Sequence, residues 1–78
     1  MKINFELTCQ RKPGTLLRVL GLVERRGYEA ISMTATAHSP DEYQVALQLR
    51  VDVPTPRDPD NLRLQLNKLY DVISIQEV

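Results

Sequence analysis

Residues 3–9 alternate strictly, with Ile3, Phe5, Leu7 and Cys9 on one face and Asn4, Glu6 and Thr8 on the other. A period of two predicts a strand covered on one side only. Pro13 and Gly14 break the pattern, and Leu16, Val19, Leu20 and Val23 then recur at i, i+3, i+4, i+7. That spacing predicts an amphipathic helix beginning at Gly14 or Thr15. Arg25 and Arg26 suit the negative end of its dipole, and Gly27 stands where a left-handed C-terminal cap is expected.

Over 28–37, β-branched and small residues favour a second strand, with Ile31, Met33, Ala35 and Ala37 assigned to the core and Ser32, Thr34 and Thr36 opposite. Residues 39–42 form a turn in which Pro40 fixes φ. Tyr43, Val45, Leu47, Leu49 and Val51 alternate with Gln44, Ala46, Gln48 and Arg50, so the two runs read as a hairpin. A loop over 52–57 precedes Asp58–Pro59, which reads as an N-cap followed by proline at the first helical position. Leu62, Leu66 and Leu69 trace the stripe of a second helix, and 72–78, with Ile73 and Ile75, is a short last strand. The expected class is α+β, a ferredoxin-like βαββαβ plan with two helices on one face of an antiparallel four-stranded sheet.

Composition narrows the chemistry. The 78 residues make one small domain, 1–78, whose core is too small for a wide stability margin. With one cysteine, Cys9, and one histidine, His38, neither a disulfide nor a metal is available as a staple, which leaves self-association. No basic-then-apolar leader opens the chain and no stretch approaches the ~20 apolar residues of a membrane span, so a soluble protein of the reducing cytoplasm is expected. Ten basic and ten acidic residues cancel, which removes any global attraction to nucleic acid or membrane.

Side-chain catalysis needs converging groups, and they are absent from the pattern. Cys9 continues an apolar face and reads as a small buried hydrophobe, and His38 reads as a solvated turn residue. An RNA-recognition module shares the element order but stacks bases on exposed strand aromatics. Here Phe5 and Tyr43 fall on the helix-facing side, and the open face offers Asn4, Glu6, Thr8, Gln48 and Arg50. The one charge asymmetry lies between Arg11 and Arg26, where five basic residues meet only Glu24; it reads either as a solvated helix face or as a docking patch for an acidic partner.

The stretch KPGTLLRVLGLVERRGYEAISMT, residues 12–34, carries Pro-Gly-x-Leu-x-Arg-Val, then Arg-Arg-Gly-Tyr and Ser-Met-Thr, and Leu66-Asn67-Lys68-Leu69-x-Asp71-Val72 follows near the C-terminus. These motifs resemble the ACT domains of acetolactate synthase (acetohydroxyacid synthase) small regulatory subunits, of the short isozyme II type. The resemblance implies a non-catalytic chain that binds and activates a catalytic large subunit in branched-chain amino-acid biosynthesis. Thiamine diphosphate, Mg and FAD would then belong to that partner, and this chain would carry no cofactor. It further implies a homodimer joined through the second strand, with Tyr28, Ala30, Ser32, Thr34 and Thr36 along the edge. A branched-chain amino-acid effector would sit at the seam, near Arg11, Pro13, Gly14, Thr15, Leu16, Glu29, Ile31 and Ser32. Valine-binding members commonly carry asparagines where this chain has Arg11 and Glu29, so activation without valine feedback is the expectation. Arg11 would instead pair with Glu29 of the neighbouring chain. A stand-alone amino-acid sensor and an RNA-binding module are the alternatives.

Overall fold

The computed structural model describes residues 2–37, 39–51 and 59–78. The elements follow in the order β1 (Lys2–Gln10), α1 (Thr15–Arg25), β2 (Glu29–Ala37), β3 (Glu42–Arg50), α2 (Pro59–Asn67) and β4 (Val72–Glu77). The sheet runs β2-β3-β1-β4, with β1 antiparallel to β3 and β4, and β2 antiparallel to β3. Each β-α-β crossover skips one strand, so the two halves interleave and leave β2 and β4 as the edges. The expected loop over 52–57, the Asp58 cap and His38 lie outside the described residues.

Alternation on β1 and β3 builds the core. Ile3, Phe5, Leu7 and Cys9 pair across from Leu49, Leu47, Val45 and Tyr43, and all but Tyr43 are buried. Val19, Leu22 and Val23 of α1 and Leu62 and Leu66 of α2 close the layer from above. Burying side chains of this size contributes about 1.5–3 kcal/mol each, which is what holds so short a chain together.

The start of α1 follows from Pro13–Gly14. Gly14 takes φ +86°, which L side chains avoid, and its carbonyl accepts the first helical bond from Arg18 N–H at 2.9 Å. At the other end Gly27 takes φ +84°, its N–H donates to the Glu24 carbonyl, and Tyr28 N–H donates to the Val23 carbonyl. This paired arrangement brings the residue after the glycine back onto the last turn. Tyr28 is therefore buried beside Val23. That corrects its place on the β2 edge: its backbone caps α1 and its ring belongs to the core.

Strand β2 differs from its expected phase. Ala30 pairs with Leu49 and Ser32 with Gln48, so Ile31 is an extra residue in a bulge. Ala30 takes the inward position expected of Ile31, which is pushed out to 40% exposure. A single inserted residue shifts the side-chain phase, and after it Met33, Ala35 and Ala37 return to the helix side. Opposite β1, β4 shifts register after Val72 in the same way, and Ile73 is 49% exposed. On α1, Leu16 and Leu20 are half-buried because the helix turns Thr15 and Leu22 inward, and both flank the deepest contacts of Val19 and Val23.

Candidate functional site

The chemistry concentrates where β1 leads into α1. Arg18, one turn into the helix, forms an ion pair with Asp71 at the head of β4: its Nε and Nη2 both donate to the carboxylate, the latter at 3.1 Å. Thr15 Oγ1 donates to the same carboxylate at 3.3 Å. Asp71 is buried, and the hydrogen-bonded Arg18 guanidinium holds its carboxyl below the usual range, outweighing the opposing effect of burial, with Thr15 and Lys12 adding to the effect. Arg18 Nη2 also reaches the Pro13 carbonyl at 3.3 Å. A Cβ on Gly14 would stand 2.6 Å from Arg18 Nη1, so the glycine leaves room for the guanidinium that anchors the loop.

Two cations flank this loop, each over a tyrosine. Arg11 lies 5.9 Å from the ring centroid of Tyr43 and donates to the Ser39 carbonyl at 3.3 Å. Lys12 lies 5.3 Å from the ring of Tyr70, whose carbonyl accepts from Gln10 Nε2. Arg11, Lys12, Pro13, Gly14, Leu16, Leu17 and Tyr43 line an open-sided groove of about 520 Å³. Thus Arg11, Pro13, Gly14 and Leu16 of the expected effector set share one surface. Thr15 is fully buried, and its hydroxyl is spent on Asp71 rather than offered to a ligand.

Glu29, Ile31 and Ser32 belong elsewhere in the same chain. Glu29 pairs with Arg50 at one end of the sheet, whereas Ala37 pairs with Tyr43 at the end carrying the loop. Eight residue steps separate Glu29 from Ala37, or about 26 Å at ~3.3 Å per residue. Within one chain the expected effector residues therefore fall into two separate groups. Between them runs the β2 edge, where Thr34, Ala35, Thr36 and Ala37 are all exposed.

The open sheet face is a ladder of short polar bonds, Gln48 to Asn4 at 3.1 Å, Thr8 to Gln44 at 3.1 Å and Gln76 to Glu6 at 3.2 Å. None of the four aromatic residues lies on it, so it offers no platform for stacked bases. Cys9 is buried and free, and burial followed by the nearby Asp71 charge pushes its thiol up to about 11. Among the described residues no three His, Cys, Asp or Glu side chains gather as metal ligands, and no helix is long and apolar enough to cross a membrane.

Arg18, Asp71 and Leu17 are absent from the expected site. Asp71 carried a weak signal, a lone carboxylate between apolar residues at a strand start, but nothing in its spacing names Arg18 as its partner.

Residues 11–75 match the family model of the ACT domain. The chain is 37% identical to the acetolactate synthase isozyme 2 small subunit of Escherichia coli over 75 residues, covering 96% of this chain and 83% of that protein. A probable acetolactate synthase small subunit of Archaeoglobus fulgidus is 32% identical over all of this chain, which spans 48% of that longer protein. Among solved structures, the acetolactate synthase small subunit of Thermotoga maritima superposes with a TM-score of 0.81 at 22% identity, over 99% of this chain and 47% of that one. The ACT domain of a Chlorobium tepidum GTP pyrophosphokinase gives 0.77 at 14% identity, with 100% and 97% covered; both likenesses speak for the fold alone. The chain belongs to the ACT-domain family, as a member of the acetolactate synthase small subunits.

Proposed function

We propose that this chain, as a single ACT domain over 1–78, is the regulatory subunit that binds and activates the catalytic large subunit of acetolactate synthase in branched-chain amino-acid biosynthesis. The observation that carries this reading is the identity of 37% spread over nearly the whole chain and most of the isozyme 2 small subunit. As a small subunit the chain is non-catalytic, and the chemistry belongs to the large subunit with its thiamine diphosphate, Mg and FAD, in the cytoplasm. Activation then requires that the chain bind the competent conformation of that subunit more tightly than the resting one.

The separation of the expected effector residues into two groups supports a working dimer. Two copies joined antiparallel along β2 and centred on Met33 would set Glu29 of one against Ala37 of the other, close to Arg11. Each seam would then combine Arg11, Pro13, Gly14 and Leu16 from one copy with Glu29, Ile31 and Ser32 from its neighbour. An Arg11–Glu29 ion pair across the seam would fill the place a branched-chain amino acid could otherwise take, giving activation without valine feedback.

The test is affinity capture from the native lysate with the tagged chain as bait. Recovery of the catalytic large subunit is the expected result. Recovery of a different enzyme or of a transcriptional regulator would favour the stand-alone sensor, and capture of RNA alone would reject the assignment.

A further inference from the structure

The surface that meets the large subunit is the open question within that reading, on which this inference rests. We infer that the loop end of the domain, from Lys12 and Pro13 across Leu17 to Tyr70, docks on the catalytic subunit and takes from it an acidic segment flanked by apolar side chains. Lys12 is stacked on the face of Tyr70 at 5.3 Å, so the cation is held in place. Among the described residues Lys12 makes no salt bridge, and no acidic side chain lines the groove beside it. Asp71, beneath the loop, is buried and taken up by Arg18 and Thr15.

Beside this cation stands apolar surface that the fold does not use. Leu17 is 75% exposed and Tyr70 78%, though both border a well-packed end of the core. Tyr70 and the half-exposed Arg18 set beside exposed Leu17 have the composition of an interface centre. Charge complementarity then selects an acidic occupant.

Two other occupants fit less well. A second copy pairing along β2 would lie beyond that edge, with β2 and β3 between it and the Lys12–Tyr70 side of the loop. A free amino acid needs a site that encloses it, and this groove is open along one side.

The experiment measures the affinity of the purified acetolactate synthase catalytic subunit for the full chain and three variants by biolayer interferometry, with circular dichroism and sedimentation velocity on each. Lys12→Glu and Leu17→Ser are expected to raise Kd at least tenfold while leaving the fold and self-association unchanged. Lys2→Glu, the same charge reversal at the far end of the sheet beside Arg50, should stay within twofold of wild type. Wild-type affinity should also fall more steeply with added salt than that of Lys12→Glu. Wild-type Kd in both Lys12→Glu and Leu17→Ser would overturn the docking surface while leaving the small-subunit reading intact, as would loss of self-association in place of large-subunit binding. No binding by the wild type would reject the reading and this surface together.

Discussion

Arg18 and Asp71, 53 residues apart in the chain, share a two-bond ion pair that ties the first turn of α1 to the head of β4. The carboxylate is buried while half of the Arg18 side chain is exposed, so the pair sits at the boundary of core and solvent. From there the guanidinium also holds the Pro13 carbonyl. One arginine thus connects the last strand, the first helix and the loop that lines the groove.

Replacing Asp71 with Asn should remove part of the pH dependence of folding. Because Arg18 depresses the folded-state pKa, the unfolded chain binds the proton first as pH falls below its ordinary value of about 3.9. The ion pair therefore contributes fully above that value, and its contribution is lost as pH drops through the lower, folded one. Thermal melts from neutral to acid pH should show a lower Tm for Asp71→Asn at neutrality and a difference that shrinks toward the acid end. Equal Tm values at neutral pH would contradict the anchoring role.

Gly14→Ala tests the loop itself. A left-handed backbone costs an alanine about 1–2 kcal/mol, and the new Cβ would press on Arg18 Nη1. Urea unfolding should show at least that loss. In an Arg18→Ala background the further loss caused by Gly14→Ala should be smaller, because the clash is with that side chain.

Cys9 should be silent toward thiol reagents. It is fully buried, and a thiol pushed up to about 11 carries almost no thiolate near neutrality. Reaction with an aromatic disulfide at pH 8 should proceed only as the chain unfolds, releasing one equivalent for its one cysteine. Rapid labelling of the native chain would place Cys9 at the surface.

Ala35→Glu probes the β2 edge. Ala35 lies on the helix side of the sheet yet is exposed, so a carboxylate there leaves the monomer's core alone. Analytical ultracentrifugation should find the wild type as a concentration-dependent dimer and Ala35→Glu shifted toward monomer with an unchanged circular dichroism spectrum. A monomeric wild type would contradict pairing through this strand.

Much of this architecture is legible in the chain because its central strands obey one rule. Ile3, Phe5, Leu7 and Cys9, and Val45, Leu47, Leu49 and Val51, alternate without interruption, and all eight are buried. Edge strands obey it less well. A bulge at Ile31 has no mark in residue type, since isoleucine suits either phase, and only pairing with β3 reveals that Ala30 turns inward. Gly27 announced the end of α1, but its cap carries Tyr28 into the core, an effect of backbone geometry rather than composition. The Arg18–Asp71 pair is a long-range contact between residues whose local patterns say only helix and strand start. Arg11, Pro13, Gly14 and Leu16 were legible because proline and glycine mark the loop, whereas the separation of Glu29 from them follows only from the direction of β2.

The central claim, that this chain is an activating subunit of acetolactate synthase, is tested most directly by titrating it into the purified catalytic subunit and following acetolactate formation. The account predicts a rate that rises and saturates with added chain, together with co-elution of the two proteins in gel filtration. An unchanged rate at saturating chain, with the two proteins eluting apart, would contradict it.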